Sequence, residues 1–250
     1  MSLRCRAMVL ATAAFFWIRP AGAIVGGAED HGPLSRATVM VLSSKGGVCS
    51  AVIVARDAVL TAGHCVSGAP EHRVHFRASD GQPVLIEPSA KAVHPGYDAK
   101  AVEARRRSID LAIVRLPEPL PARFDVATLS AAPARAGAML HVGGYGVARE
   151  GDHRSTGTFR IARIPAVEPH GPSRILVWAA APQGEAGLCV GDSGGPIARD
   201  NSSGVFAIAA WASGSRSAKC GGTSQGILLG PQRAWIDATL AAWGSQARWE

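Results

Sequence analysis

The chain has 250 residues, and several common patterns are missing from them. It contains no C-x₂₋₄-C pair, the spacing most structural zinc sites use, and no other ligand cluster points to a metal. It shows no internal repeat, and no long low-complexity linker divides it into separate pieces. Its apolar stretch from Ala7 to Ile18 is too short to cross a bilayer as a helix, which needs about 20 residues. Aromatic residues make up only 6%, and none is interleaved with Arg105-Arg106-Arg107, so that run reads as a solvated loop and not as a nucleic-acid surface.

The features that are present begin with a leader. Arg4 and Arg6 precede the Ala7–Ile18 stretch, and Ala21-Gly22-Ala23 supplies the small residues of a cleavage site. Residues 1–23 therefore read as a secretory signal peptide, which predicts a protein exported to the periplasm or the medium, with no membrane attachment after cleavage. The formal charge of +7 falls to +4 when Arg4, Arg6 and Arg19 leave with the leader. Cys5 leaves too. Cys49, Cys65, Cys189 and Cys220 remain, an even number that suits disulfides in an oxidising compartment and leaves three pairings open.

Residues 24–250 are enough to bury a substantial core, as one large all-β unit or as two small barrels sharing an interface. The 29 glycines and 16 prolines interrupt short apolar or β-branched runs at 39–42, 48–55, 74–77, 109–116, 174–180 and 205–211. This pattern predicts antiparallel strands. One helix is expected, at about 231–243, where Trp235, Ile236, Leu240 and Trp243 share a face that would pack against the second half of the chain.

Three segments carry chemistry. Gly191-Asp192-Ser193-Gly194-Gly195-Pro196 sets a hydroxyl in a glycine-rich turn; alone, a serine between glycines is an ordinary turn, and G-x-S-x-G also fits a strand-to-helix nucleophile elbow. Thr61-Ala62-Gly63-His64-Cys65 ends an apolar run with an imidazole able to act as a base near neutral pH. Asp110 opens the run Leu111–Leu116 and could orient an imidazole. No histidine follows Ser193, which removes the α/β-hydrolase order of serine, acid, histidine. The order His64, Asp110, Ser193 also differs from that of the subtilisins.

With Ile24-Val25-Gly26-Gly27, Asp110-Leu111-Ala112 and Gly144-Tyr145-Gly146 added, the chain after residue 23 resembles the chymotrypsin/trypsin family of serine proteases. The resemblance implies an all-β fold of two antiparallel β-barrels, at about 24–120 and 138–230, with the active site in the cleft between them and the C-terminal α-helix beyond; residues 117–137 would connect the halves. It implies an endopeptidase with His64, Asp110 and Ser193 as triad and the N–H groups of Gly191 and Ser193 as oxyanion hole. The amine freed at Ile24 would pair with Asp192, and Cys49–Cys65 and Cys189–Cys220 would be the disulfides. The first closes a loop of about 15 residues, worth about 3 kcal/mol in the chain-entropy model.

The resemblance further implies a substrate pocket formed by Gly187, Leu188, Ala210, Trp211, Ala212 and Gly226. Gly187 stands where trypsin-like members carry an aspartate, so a preference for Arg or Lys is not expected, and a small or medium apolar P1 residue is. An acidic P1 is the competing reading, from Arg216 and Lys219; Ala209, where glutamate-selective relatives place a histidine, argues against it. Ala210 stands where the family's serine supports the triad aspartate, which keeps open a silent homologue that binds without cutting. No cofactor is implied. The expected partners are protein or peptide substrates and a protein inhibitor, and the expected state is a monomer.

Overall fold

The computed structural model describes residues 24–250 apart from 69–70, 105, 185, 201, 203 and 215–217, so the leader, Arg105 and Arg216 lie outside the described residues. The fold is mostly β. A two-residue strand, β1 (Ala28–Glu29), precedes a first sheet of β2 (Thr38–Ser43), β3 (Val48–Ala55), β4 (Ala58–Thr61), β5 (His72–Arg77), β6 (Pro83–Ile86), β7 (Ala90–Val93) and β8 (Ala112–Arg115). The strands lie in the order β6-β5-β2-β3-β4-β8-β7. Its two edge strands are consecutive in the chain, joined by residues 87–89. Laid flat, seven strands would set those edges roughly 29 Å apart, about twice what so short a link can span. The sheet must therefore curl, and it does so without a closing ladder between β6 and β7.

The second sheet contains β10 (Met139–Gly144), β11 (Arg160–Val167), β12 (Leu176–Ala180), β13 (Pro196–Arg199), β14 (Val205–Gly214) and β15 (Gly221–Leu228). The pairings run β13-β10-β11-β12-β15-β14, and β14 pairs back to β13, which closes a six-strand barrel. Two short strands depart from the antiparallel rule: β9 (Thr128–Leu129) runs parallel to both β14 and β16 (Arg248–Trp249). The segment expected at the start of the first barrel belongs elsewhere, since β1 pairs with β11 of the second.

Period-two alternation explains why the strands are apolar on both faces. Ala51 and Ile53 of β3 point into the curl of the first sheet with Val59 and Val114, whereas Val52 and Val54 enter a core shared by both sheets with Ile208, Ile236 and Leu240. In β14 a register shift opposite Ile197 and Ala198 interrupts the alternation: Phe206, Ala207 and Ala209 fill the closed barrel while Val205, Ile208 and Ala210 face the shared core. Truncating a fully buried residue such as Ile53 to alanine would cost about 2–5 kcal/mol.

The helix spans Arg233–Ala242, shorter than expected because Gly230–Gln232 form a 3₁₀ turn before it. Ile236 and Leu240 are fully buried. The helix does not lean on the second barrel alone. Trp235 meets His94 edge-on at 4.7 Å, and Arg115 Nη2 donates to the Trp243 carbonyl at 3.1 Å, so the first sheet holds it too.

Candidate active site

Strand register brings the first two chemical groups together. β4 pairs with β8 so that Thr61 faces Ala112. His64 lies in the 3₁₀ turn Gly63–Cys65 just beyond β4, and Asp110 lies just before β8, so the two meet at one sheet end. His64 Nδ1 is 2.7 Å from Asp110 Oδ2, and the His64 backbone N–H donates to Asp110 Oδ1 at 2.8 Å. The double contact fixes the ring's orientation and leaves Nε2 facing away from the carboxylate.

Ser193 precedes β13 in the other sheet, and its carbonyl accepts from Ser50 N of β3 at 2.8 Å, which ties the loop across the interface. His64, Asp110 and Ser193 line one cleft of about 640 Å³. Among the described residues, Ser193 Oγ has no hydrogen-bond partner. Such contacts are often long in unliganded sites.

The loop's shape depends on glycine. Gly191 and Gly194 have φ of +97° and +84°, a region that favours glycine, and a Cβ on Gly194 would lie 2.0 Å from the Ser50 carbonyl oxygen. Within this loop, the Gly194 N–H donates to Ala209 O at 2.7 Å and that of Gly195 to Asp192 O at 2.9 Å. Among the described residues the N–H groups of Gly191 and Ser193 meet no acceptor; Ser193 lines the cleft, whereas Gly191 is buried.

Asp192 is fully buried. Its carboxylate accepts from Gly146 N at 2.8 Å and Cys189 N at 2.9 Å. Burial pushes its pKa up to about 7 against those bonds and against the charge of Arg160. Among the described residues no cation lies within 4.0 Å of it. Ile24 is also fully buried, packed with Leu140, Leu188 and Phe206 in the second barrel, while Val25 bridges Gly187. In the intact chain Ile24 N is still bonded to Ala23.

Both disulfides are present. Cys49–Cys65 clamps the turn that carries His64 to β3, with S–S 2.03 Å, and Cys189–Cys220 ties the nucleophile segment to the arm before β15, with S–S 2.02 Å. Cys49, His64 and Cys65 come within 4.8 Å of one another, but disulfide sulfurs carry no thiolate to offer a metal.

The expected substrate pocket is only partly assembled from the residues named for it. Ala210, Trp211 and Ala212 line the cleft. Leu188 does not: its N–H donates to the buried Ser224 Oγ at 3.0 Å, and its side chain belongs to the second barrel's core. Gly226 sits within β15 opposite Ala209, where a Cβ would lie 2.5 Å from Ile197 Cδ1, so it too faces the core. Gly187 lies behind the cleft wall, with Ser224 Oγ 2.8 Å from where its Cβ would be. Tyr97, Ile175 and Leu176 form lining that sequence reading missed.

Ser50 was also missed. Buried in β3, its hydroxyl donates to Gly191 O at 3.0 Å and accepts from Tyr145 N at 2.9 Å, supporting the nucleophile loop from the opposite sheet. Its only sequence signal is a polar residue within the apolar run after Cys49. Tyr145, in place of the family's usual tryptophan, donates its hydroxyl to Thr38 O at 3.0 Å, and burial pushes its pKa up to about 12, so it stays protonated.

A closed barrel and a curled sheet that set a histidine, an aspartate and a serine around one cleft define a class, the chymotrypsin-like fold. The trypsin family model matches residues 24–228, and the chain belongs to that family of serine proteases. It is 31% identical to "Trypsin 5G1" of Aedes aegypti over 219 residues, covering 79% of this chain and 78% of that one. It is 29% identical to the "Cercarial protease" of Schistosoma mansoni over 180 residues, 64% of this chain and 68% of the other. Among solved structures, neuropsin, a serine protease expressed in the limbic system of mouse brain, superposes with a TM-score of 0.70 at 21% identity, covering 85% of this chain and 98% of that chain; this likeness shows the fold.

Proposed function

We propose that the protein is an exported serine endopeptidase that cuts peptide bonds through an acyl-enzyme. Ser193 Oγ attacks the carbonyl, His64 Nε2 takes its proton and later gives it to the leaving amine, and Asp110 holds the imidazole in the tautomer that leaves Nε2 free to accept. The tetrahedral oxyanion is received by the N–H groups of Gly191 and Ser193. The observation that carries this reading is the His64–Asp110 bond of 2.7 Å in the same cleft as Ser193, whose N–H, like that of Gly191, meets no acceptor among the described residues. In the test, a fluorophosphonate probe labels the protein at Ser193 and the Ser193→Ala variant neither reacts nor cleaves; labelling or cleavage by that variant overturns the assignment.

Activation follows from the first residues of the domain. Signal peptidase cutting after Ala23 would free the Ile24 amine directly, with no separate propeptide step. That amine would supply the cation that buried Asp192 lacks among the described residues. N-terminal sequencing of the secreted protein should begin at Ile24; any other start removes this route.

For specificity, Gly187 stands where trypsin-like members carry the aspartate that attracts Arg or Lys, and Ala210 and Ala212 line the cleft with small apolar side chains. The expected P1 residue is small or medium and apolar, read out with a chromogenic P1 library. Ala210 also favours a second reading, a homologue that binds peptides without cutting, because Asp110 accepts only from His64 among the described residues. Active-site titration separates the two, because a pure binding protein gives no burst.

A further inference from the structure

We propose that the cleft selects peptides carrying acidic side chains at positions flanking the apolar P1 residue, and that Arg107 and Lys219 read them. The inference rests on the protease reading above and deepens it by naming a substrate class.

Charge bookkeeping within the cleft leads there. Two described carboxylates line it, Asp98 and Asp110, and both are engaged. Asp110 is held by His64. Asp98 accepts from Lys100 N at 2.9 Å and from Arg106 Nε and Nη2 at 3.0 and 2.6 Å, so Arg106 is neutralised and the loop that bears it is fastened. The Lys100 N–H, then Arg106, hold the Asp98 carboxyl below its ordinary range.

Arg107 and Lys219 remain. Both line the cleft and both are exposed. Among the described residues no carboxylate lies within 4.0 Å of either charge. Glu150, on the loop beside Lys219, is committed to the backbone: its oxygens accept from Lys219 N at 2.8 and 2.9 Å and from Cys220 N at 3.3 Å. That carboxylate fixes the arm that carries Lys219, next to the Cys189–Cys220 disulfide, and leaves the ammonium without a partner there.

The rest of the wall is largely apolar, with Trp211, Ile175, Leu176 and Ile227 prominent. A peptide lying along it would place neighbouring side chains against two cations with no competing anion among the described residues, a complementarity that favours acidic partners and disfavours basic ones. The Arg105–Arg107 run, read from sequence as a solvated loop, thus contributes at least Arg107 to the substrate surface.

The test uses the chain beginning at Ile24 and a peptide series of one sequence in which each position flanking the cut is varied among glutamate, alanine and lysine. The expected result is a kcat/KM about five-fold or more higher for glutamate than for lysine at one or more flanking positions, shrinking in high salt. Arg107→Glu and Lys219→Glu should each move that ratio about five-fold toward lysine, and the double variant should invert it. Arg248→Glu, on an exposed strand outside the cleft, should leave the ratio where it was. The rate of probe labelling at Ser193 shows that each variant is folded; Arg107→Gln and Lys219→Gln serve where a reversal does not fold. A ratio near one, or a ratio unmoved by the substitutions in an enzyme that cleaves, overturns the proposal. If no peptide is cut and Ser193 does not label, it is the protease reading itself that has failed.

Discussion

His64 and Asp110 stand on adjacent strand ends of one sheet and are joined by two hydrogen bonds, whereas Ser193 hangs in a loop shaped by left-handed glycines above a buried carboxyl that has no ion-pair partner among the described residues. The first half of the site is complete as soon as the curled sheet forms. The second half depends on groups that fit only in one arrangement: Gly191 and Gly194 in their conformations, Asp192 on two backbone N–H groups, Ser50 reaching across from the other sheet. Under the proposed mechanism, the difference implies that the base and its orienting acid are pre-assembled, while the nucleophile and oxyanion donors are the part that processing and mutation can switch.

The severest way to break the second half is Gly194→Ala. Its φ of +84° and the 2.0 Å approach to Ser50 O leave no room for a methyl group, so activity should vanish and the melting temperature should fall well below wild type. Next comes one extra residue placed before Ile24: the protein should be secreted and folded, with kcat/KM lower by about 100-fold or more, because the amine no longer reaches Asp192. A buried charge left without its partner typically costs about 3–5 kcal/mol.

Ser50→Ala tests the tie between the halves. It removes an acceptor from Tyr145 N and a donor to Gly191 O, each buried, and should cost about 1–3 kcal/mol in chemical denaturation together with a loss of kcat. His64–Asp110 geometry should be spared, so the pH profile of kcat/KM should keep its shape while its height falls.

The uncut chain offers a pH test. Asp192 has its folded-state pKa raised from the ordinary carboxylate range to about 7, so the protonated form is favoured in the folded state. The contribution of Asp192 to the stability of the uncut chain should therefore be most favourable at acid pH and decline as pH rises from the ordinary carboxylate range toward 7. Asp192→Asn should flatten that decline, and cleavage at Ile24 should reduce it. Denaturant titrations at pH 5 and pH 8 measure both.

The smallest effect should come from the first half, through Ala210→Ser. Asp110 accepts only from His64 among the described residues, and a hydroxyl at 210, in the cleft wall, would add a donor. A gain of about two- to five-fold in kcat/KM is expected; no gain would mean that the two His64 contacts already suffice.

Much of this was legible in the sequence, and the reasons are physical. Short motifs reveal residues whose chemistry demands a local context: Ser193 among glycines, His64 beside its disulfide, Ile24 at the start of the domain. Strand runs at 48–55 and 205–211 were legible because alternation against two cores leaves nearly every residue apolar. Ser50, Tyr97 and Glu150 were not, because each acts on a partner 30 to 141 residues away in sequence, and nothing in its own neighbourhood marks it. Leu188 and Gly226 were assigned to the pocket from their place in the chain, which does not tell which way a side chain points. The open edge of the first sheet was invisible for a similar reason: strand runs do not reveal whether the last strand pairs back.

The most direct measurement is an active-site titration of two purified forms, the chain beginning at Ile24 and the same chain with one residue before it. The account predicts a burst approaching one equivalent per molecule for the first, lost in its Ser193→Ala variant, and almost none for the extended form. Equal bursts from both forms would contradict the role of Asp192 and the freed amine; no burst from either would contradict the triad itself.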